Sequence, residues 1–274
     1  MATDRQPFRL GVSSFVTDRW MTPTDVGTFG RSPATSVELA APSIWRAPNQ
    51  AVRETVTALR ASGLELWSVH SPFMNGLDLS TLDEAVRART LAAIREAFGL
   101  AGELGCAAVV VHPSSEPIAP LDRAARLEQS RSSLAAVCNM ARESGTRAAL
   151  EPLPRTCLAN RADEVADLLE GLPAQDIGIC LDVNHANVGQ DLVAFIQRFG
   201  SRIITLHISD NDGIDEKHWL PGIGVIDWPA VMKALRAAGY VGPLVYEVGR
   251  GDASLAERLE EFGRNQQWLL SLMA

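Results

Sequence analysis

Residues 107–115 read "AAVVVHPSS". An unbroken apolar run, ending in three valines, stops at a histidine and gives way to proline and serine. A short segment that is apolar at every position fits a parallel strand buried on both faces, because helices cover both sides of such a sheet. The form recurs along the chain. Further strand candidates are "FRLGVSSF" (8–15), "SVELAA" (36–41), "LELWSVHSP" (64–72), "RAALEPL" (147–153), "IGICLDVNH" (177–185), "RIITLHIS" (202–209) and "PLVYEVG" (243–249).

Longer stretches with apolar residues at helical spacing lie between them. Residues 81–105 follow Ser80, a candidate N-cap, and end at Gly105. Residues 123–145 end at Gly145, and residues 227–239 end at Gly239. Asp227 caps the last of these, with Pro229 in its first turn. Residues 16–35 form a Gly/Pro/Thr-containing connection with little helical character, a candidate lid. Strands alternating with helices over about 250 residues predict a (β/α)8 barrel, an α/β fold in one domain over 1–274. A doubly wound open sheet is the alternative, but no G-x-G-x-x-G or P-loop motif supports it.

Composition narrows the function. The net charge of −8 argues against a nucleic-acid partner, since such binding leans on Lys and Arg. No apolar run approaches the roughly 18 residues that span a bilayer, and the N-terminus carries no signal pattern. Cys106, Cys138, Cys157 and Cys180 show no C-x-x-C spacing. They are expected to be reduced thiols in a cytoplasmic protein.

The polar residue that closes each apolar run carries the chemistry. Strand two holds Glu38, strand three ends in His70, and strand four ends in His112. Strand five ends in Glu151. Strand six carries Asp182, with His185 three residues on. Strand seven ends in His207, its loop adds Glu216 and His218, and strand eight ends in Glu247. All five histidines of the chain are in this set. In a barrel these strand ends open onto one face, where active sites sit. Converging carboxylates repel one another unless a cation lies among them, and imidazole with carboxylate is a ligand set for divalent metals. Asp212 and Asp215, beside Gly213, are assigned to turn chemistry. Arg155 and Arg250 follow two of the glutamates and could hold a substrate phosphate or carboxylate, with a surface ion pair as the plain alternative. Trp20, Trp45, Phe73 and Trp219 lie in loops expected on the same face, either stacking on substrate or packing on the rim.

The ordered set "SVHSPF", "VVVHPS", "ALEPLPR", "CLDVNHAN", "LHISDNDG…DEKHWLPGIGVIDW" and "VYEVG" resembles the xylose isomerase-like TIM-barrel superfamily over about residues 8–270. That group contains sugar and sugar-phosphate isomerases and epimerases, inosose-processing enzymes and the endonuclease IV apurinic endonucleases. The resemblance implies one divalent ion (Mn, Zn, Co or Mg) held by Glu151, Asp182, His207 and Glu247. Glu151 and Glu247 would double as the acid–base pair. In the endonuclease IV branch a second and third ion would use the positions of His70, His112, His185, Glu216 and His218. Glu216 departs from that pattern, which has Asp there. The expected function is isomerisation or epimerisation of a small sugar, sugar phosphate or inosose through an enediolate. His70, His112, His185, Arg155, Glu216 and His218 are then substrate contacts. The alternatives are a metal-dependent phosphodiester hydrolase, an inosose dehydratase-like lyase, and a non-catalytic sugar-binding barrel. A homo-oligomer is compatible with the sequence.

Overall fold

The computed structural model describes residues 7–249 and 251–273. Eight parallel strands close into one barrel in sequence order: β1 Leu10–Ser13, β2 Ser36–Ala40, β3 Glu65–His70, β4 Ala108–Val111, β5 Arg147–Leu150, β6 Ile177–Asp182, β7 Ile203–Ile208 and β8 Leu244–Tyr246. β8 returns to pair with β1, Leu10 opposite Leu244. Helices α1 Pro23–Phe29, α2 Asn49–Ala61, α3 Glu84–Leu104, α4 Arg123–Ser144, α5 Ala162–Leu169, α6 Val183–Asn187, α7 Leu192–Phe199, α8 Trp228–Ala237 and α9 Leu255–Ser271 follow the strands. The expected (β/α)8 barrel is the observed one.

Strand alternation divides the apolar residues between two cores. Val109 and Val111 of β4 and Ala148 and Leu150 of β5 join the large core between barrel and helices. Ala108, Val110, Ala149 and Cys180 form a separate plug inside the barrel, closed by Ile204. The plug is narrow because Gly178 leaves room for its neighbour: a Cβ there would lie 2.6 Å from Ile204 Cγ2 and 2.7 Å from the Arg202 carbonyl. Continued at period two, the inward-facing positions lead to His112, Glu151 and Asp182. The strand alternation that packs the interior therefore also aims the polar strand ends into one pole.

Several local expectations hold. Gly105 and Gly145 end α3 and α4 in the left-handed conformation, and Asp227 caps α8 through the Ala230 amide. All four cysteines are buried and unpaired. Among the described residues no helix is long and apolar enough to cross a membrane.

Two expectations are corrected. α3 starts at Glu84, capped by Asp83, which accepts from the Ala85 and Val86 amides at 2.8 and 3.0 Å. Ser80 instead is buried against Asp78 and Arg126. The 16–35 connection does contain a helix, α1. Thr22 and Asp25 cap each other's amides around Pro23 in a reciprocal capping box. Trp20 in this segment is buried, its indole donating to Thr55 Oγ1 at 3.0 Å. The segment is thus packed onto α2 through Trp20.

Candidate active site

The parallel register sets His70, Asp182 and His207 on the last turns of pleat of their strands, while His112, Glu151 and Glu247 directly follow β4, β5 and β8. Glu151 lies at the centre. Its Oε2 is 3.3 Å from His70 Nε2 and 3.1 Å from His112 Nε2, and its Oε1 is 3.2 Å from His207 Nδ1 and 3.3 Å from His185 Nδ1. His207 Nδ1 is also 3.0 Å from Glu247 Oε2 and 3.9 Å from Asp182 Oδ2. His185 Nε2 lies 2.8 Å from Glu216 Oε2.

Among the described residues, five groups have ligand-type atoms within 4.8 Å of one another, and three of them together take in all of the expected ligands: Glu151, Asp182, His207 and Glu247; His70, His112 and Glu151; and His185, Glu216 and His218. Asp182 Oδ2 is buried and accepts no hydrogen bond, its nearest imidazole nitrogen being His185 Nδ1 at 3.6 Å. A buried carboxylate oxygen without a partner is costly, whereas a cation among three carboxylates and an imidazole removes that cost. Hard oxygen donors with one imidazole suit the divalent first-row metals and magnesium. The residues fit such an ion.

Neighbouring groups fix the ring orientations. His207 Nε2 lies 2.9 and 3.1 Å from the two oxygens of Glu38, leaving Nδ1 facing the cluster. Glu38 itself is fully buried and accepts from Ser68 Oγ at 2.7 Å. His70 Nδ1 is held by the Ser71 carbonyl at 2.9 Å, and His218 Nδ1 by the Glu247 carbonyl at 3.0 Å. Asp182 caps α6 through the His185 amide at 2.9 Å, which ties the third histidine to the strand end.

Charge is divided unevenly across the cluster. Burial pushes Asp182 up, and the charges of Glu151 and Glu247 add to it, against an opposing pull from His185. Burial alone would raise Glu151 as well, but the His207 and His112 imidazoles hold it well below the usual carboxylate range. For Glu247 burial is again outweighed, here chiefly by His207, and it falls to about 2. Burial is likewise outweighed at His207, which Glu38, Glu247, Glu151 and the Cys180 sulfur raise well above an ordinary histidine. His112 goes the other way, lowered by burial.

Above the cluster opens a cavity of about 360 Å³. His70, His112, Glu151, His185, Glu216, His218 and Glu247 line its floor and wall, with Phe73, Ser114, Ser115, Glu116 and Arg155 toward the mouth. Phe73 packs on the His112 ring at 4.5 Å between centroids. Of the other three aromatic candidates, Trp20 is buried away from the cavity, Trp45 packs against Phe15, and Trp219 pairs with Asp210 through the backbone. Arg250 lies outside the described residues. Asp215 makes its turn contact to the Glu216 amide and, beyond turn chemistry, reaches Arg155 at 2.9 Å. Asp210 is structural: its buried carboxylate accepts from the Asn211, Gly222 and Ile226 amides and from Trp228 Nε1, pinning the loop that carries Glu216 and His218. Glu116 and the orienting role of Glu38 had no distinguishing signal in the sequence, since each depends on a partner brought close only by barrel closure.

The family model described as xylose isomerase-like TIM barrel matches residues 31–272. The uncharacterized protein MJ1311 of Methanocaldococcus jannaschii is 31 % identical over 185 residues, 65 % of this chain and 63 % of that protein; the chain thus spans less than two thirds of this relative. A probable endonuclease 4 of Mycobacterium tuberculosis is 30 % identical over 237 residues, covering 80 % of this chain and 88 % of that protein. Among solved structures, a D-tagatose 3-epimerase-like protein superposes with TM-score 0.84 at 23 % identity, covering 96 % of this chain and 98 % of its own. A D-psicose 3-epimerase from Clostridium cellulolyticum H10 superposes with TM-score 0.78 at 21 % identity, covering 97 % and 98 %. At these identities the structural matches show the fold. With its strand order, its site at the strand C-termini and a model match over most of its length, the chain belongs to the xylose isomerase-like TIM barrel family.

Proposed function

We propose that this protein is a divalent-metal-dependent isomerase or epimerase of a small polyhydroxy carbonyl compound. The observation that carries it is the meeting of Glu151, which follows β5, and Glu247, which follows β8, at His207 Nδ1 in residues that line a cavity of about 360 Å³. Glu151, Asp182, His207 and Glu247 would hold the ion, which when bound supplies Lewis acidity toward a carbonyl oxygen and its neighbouring hydroxyl. Glu151 and Glu247 act as the proton-moving pair: one carboxylate removes the hydrogen next to the carbonyl, and the other returns one. Both are held low enough to be ionised bases at neutral pH. His112, kept neutral by burial, and His185 face the cavity and hydrogen-bond substrate hydroxyls. Return to the opposite face of the same carbon gives an epimer, and return to the adjacent carbon gives an isomer.

The test is exchange of a carbon-bound substrate proton with deuterated solvent, using metal-loaded protein and a panel of ketoses and inososes. Exchange is expected in the wild type. It should fall by roughly 10²–10⁴ in Glu151→Gln and Glu247→Gln, the usual worth of a positioned base. Undiminished exchange in both variants would remove the glutamates as bases.

A second reading, a phosphodiester hydrolase, is favoured by the two outer groups, His70–His112–Glu151 and His185–Glu216–His218, which would hold a second and third ion. It predicts three metal ions per chain and cleavage of abasic DNA, whereas the leading reading requires one ion and no DNA cleavage. An inosose dehydratase-like lyase would show itself by loss of water in the product.

A further inference from the structure

Among the described residues lining the cavity, Arg155 is the sole lysine or arginine. Its guanidinium is fully engaged. Nε lies 3.0 and 3.2 Å from the Glu116 carboxylate, and Nη2 is bonded to the same group. Nη1 reaches Asp215 at 2.9 Å and Glu216 at 2.6 Å. Glu116 follows β4, Arg155 follows β5, and the other two acids follow β7. The contacts therefore strap three loops together across the cavity mouth. Arg155 has a φ of 55°, a left-handed conformation uncommon for a side chain this large, and its carbonyl is held by Asn160 Nδ2 at 2.5 Å.

We infer that the cavity selects uncharged polyhydroxy substrates and discriminates against phosphorylated or carboxylated ones. The inference rests on the isomerase or epimerase reading and names its substrate class. Arginine recognises a phosphate or carboxylate through a free pair of parallel N–H donors. Here the Nε–Nη2 edge is taken by Glu116, and Nη1 is shared by two further carboxylates. Three acids facing one guanidinium leave the mouth net negative. A phosphate would have to displace a carboxylate and then lie among the others, where like charges repel it. A neutral polyol meets none of this. It has Ser115 and His112 as hydrogen-bonding neighbours and the Phe73 ring as an apolar face.

Binding of a hexitol and of its terminal phosphate ester, compared by calorimetry on the metal-loaded protein, tests this without any turnover. The hexitol should bind about 10–100-fold more tightly at low salt. The gap should narrow when ionic strength rises to about 0.5 M, because the mouth is exposed and its charges are screened. It should also narrow about tenfold in the Glu116→Gln/Asp215→Asn double variant, which removes two of the three negative charges on the guanidinium and leaves only Glu216 paired with it. Equal or tighter binding of the phosphate ester, binding of neither, or a gap unmoved by salt and by the double variant would overturn the inference. Loss of solvent exchange with preserved hexitol selectivity would instead sink the isomerase reading and leave the selectivity standing.

Discussion

Glu38 shows how much one buried side chain can set. It is fully enclosed in the barrel and binds His207 on the nitrogen away from the cluster, so it fixes which nitrogen is offered inward. Such outer partners typically change metal affinity 10–100-fold. Glu38→Gln keeps an acceptor of the same shape but removes the charge. It should weaken divalent-ion binding about tenfold, measured by calorimetric titration, with secondary structure unchanged. Affinity equal to the wild type would show that Glu38 does not orient the ring. Asp182→Asn is expected to act differently. It relieves the uncompensated oxygen in the ion-free protein while removing a ligand. Ion affinity should fall, apo stability should hold or rise, and excess ion should restore part of the activity.

At the level of elements, α1 and β6 are held by devices of different kinds. α1 depends on the Thr22–Asp25 capping box, and Asp25 is also clamped by Arg19 at 2.6 Å. Burial would raise the Asp25 carboxyl, but Arg19 and the Thr22 amide and hydroxyl bring it below its ordinary value. A group with a depressed folded pKa stabilises the fold above its unfolded pKa, and that contribution is lost as pH falls through the folded value. Asp25→Asn should therefore cost about 1 kcal/mol in denaturant unfolding near neutrality. Its penalty should shrink as pH falls below the ordinary aspartate range and the wild-type carboxyl is itself protonated. A penalty constant with pH would exclude the ionised cap. β6 depends on space. Gly178→Ala sets a Cβ against the Arg202 backbone and Ile204, and should cost about 1–3 kcal/mol. Because β6 ends in Asp182, ion affinity should fall with it.

For the molecule as a whole, several carboxylates are gathered at one pole around histidines. Binding an ion there stabilises the fold by mass action, about 2.7 kcal/mol at a hundred times the dissociation constant. Chelation should lower the thermal midpoint and re-addition of ion should restore it, while substitution of Asp182 should blunt both shifts. A midpoint indifferent to chelator and to added ion would count against any bound metal. The net charge of −8 adds a long-range term that repels polyanions, so duplex DNA should show no binding at physiological salt.

The eight apolar runs and their polar terminal residues were legible in the sequence because strand burial and strand polarity are local properties, written at period two. From them follow the barrel and the gathering of His70, His112, Glu151, Asp182, His207 and Glu247 at one pole. The capping box at Thr22 was equally local and still passed unread, masked by the glycine and prolines around it. What only the tertiary structure decided are pairings between distant strands and loops: Glu38 with His207, 169 residues apart, and Arg155 with acids from two other loops. Closure of the barrel makes these neighbours. A side chain's partner across the barrel depends on register and stagger, which no single strand encodes, and whether an arginine is free or fully engaged depends on which loops fold over it.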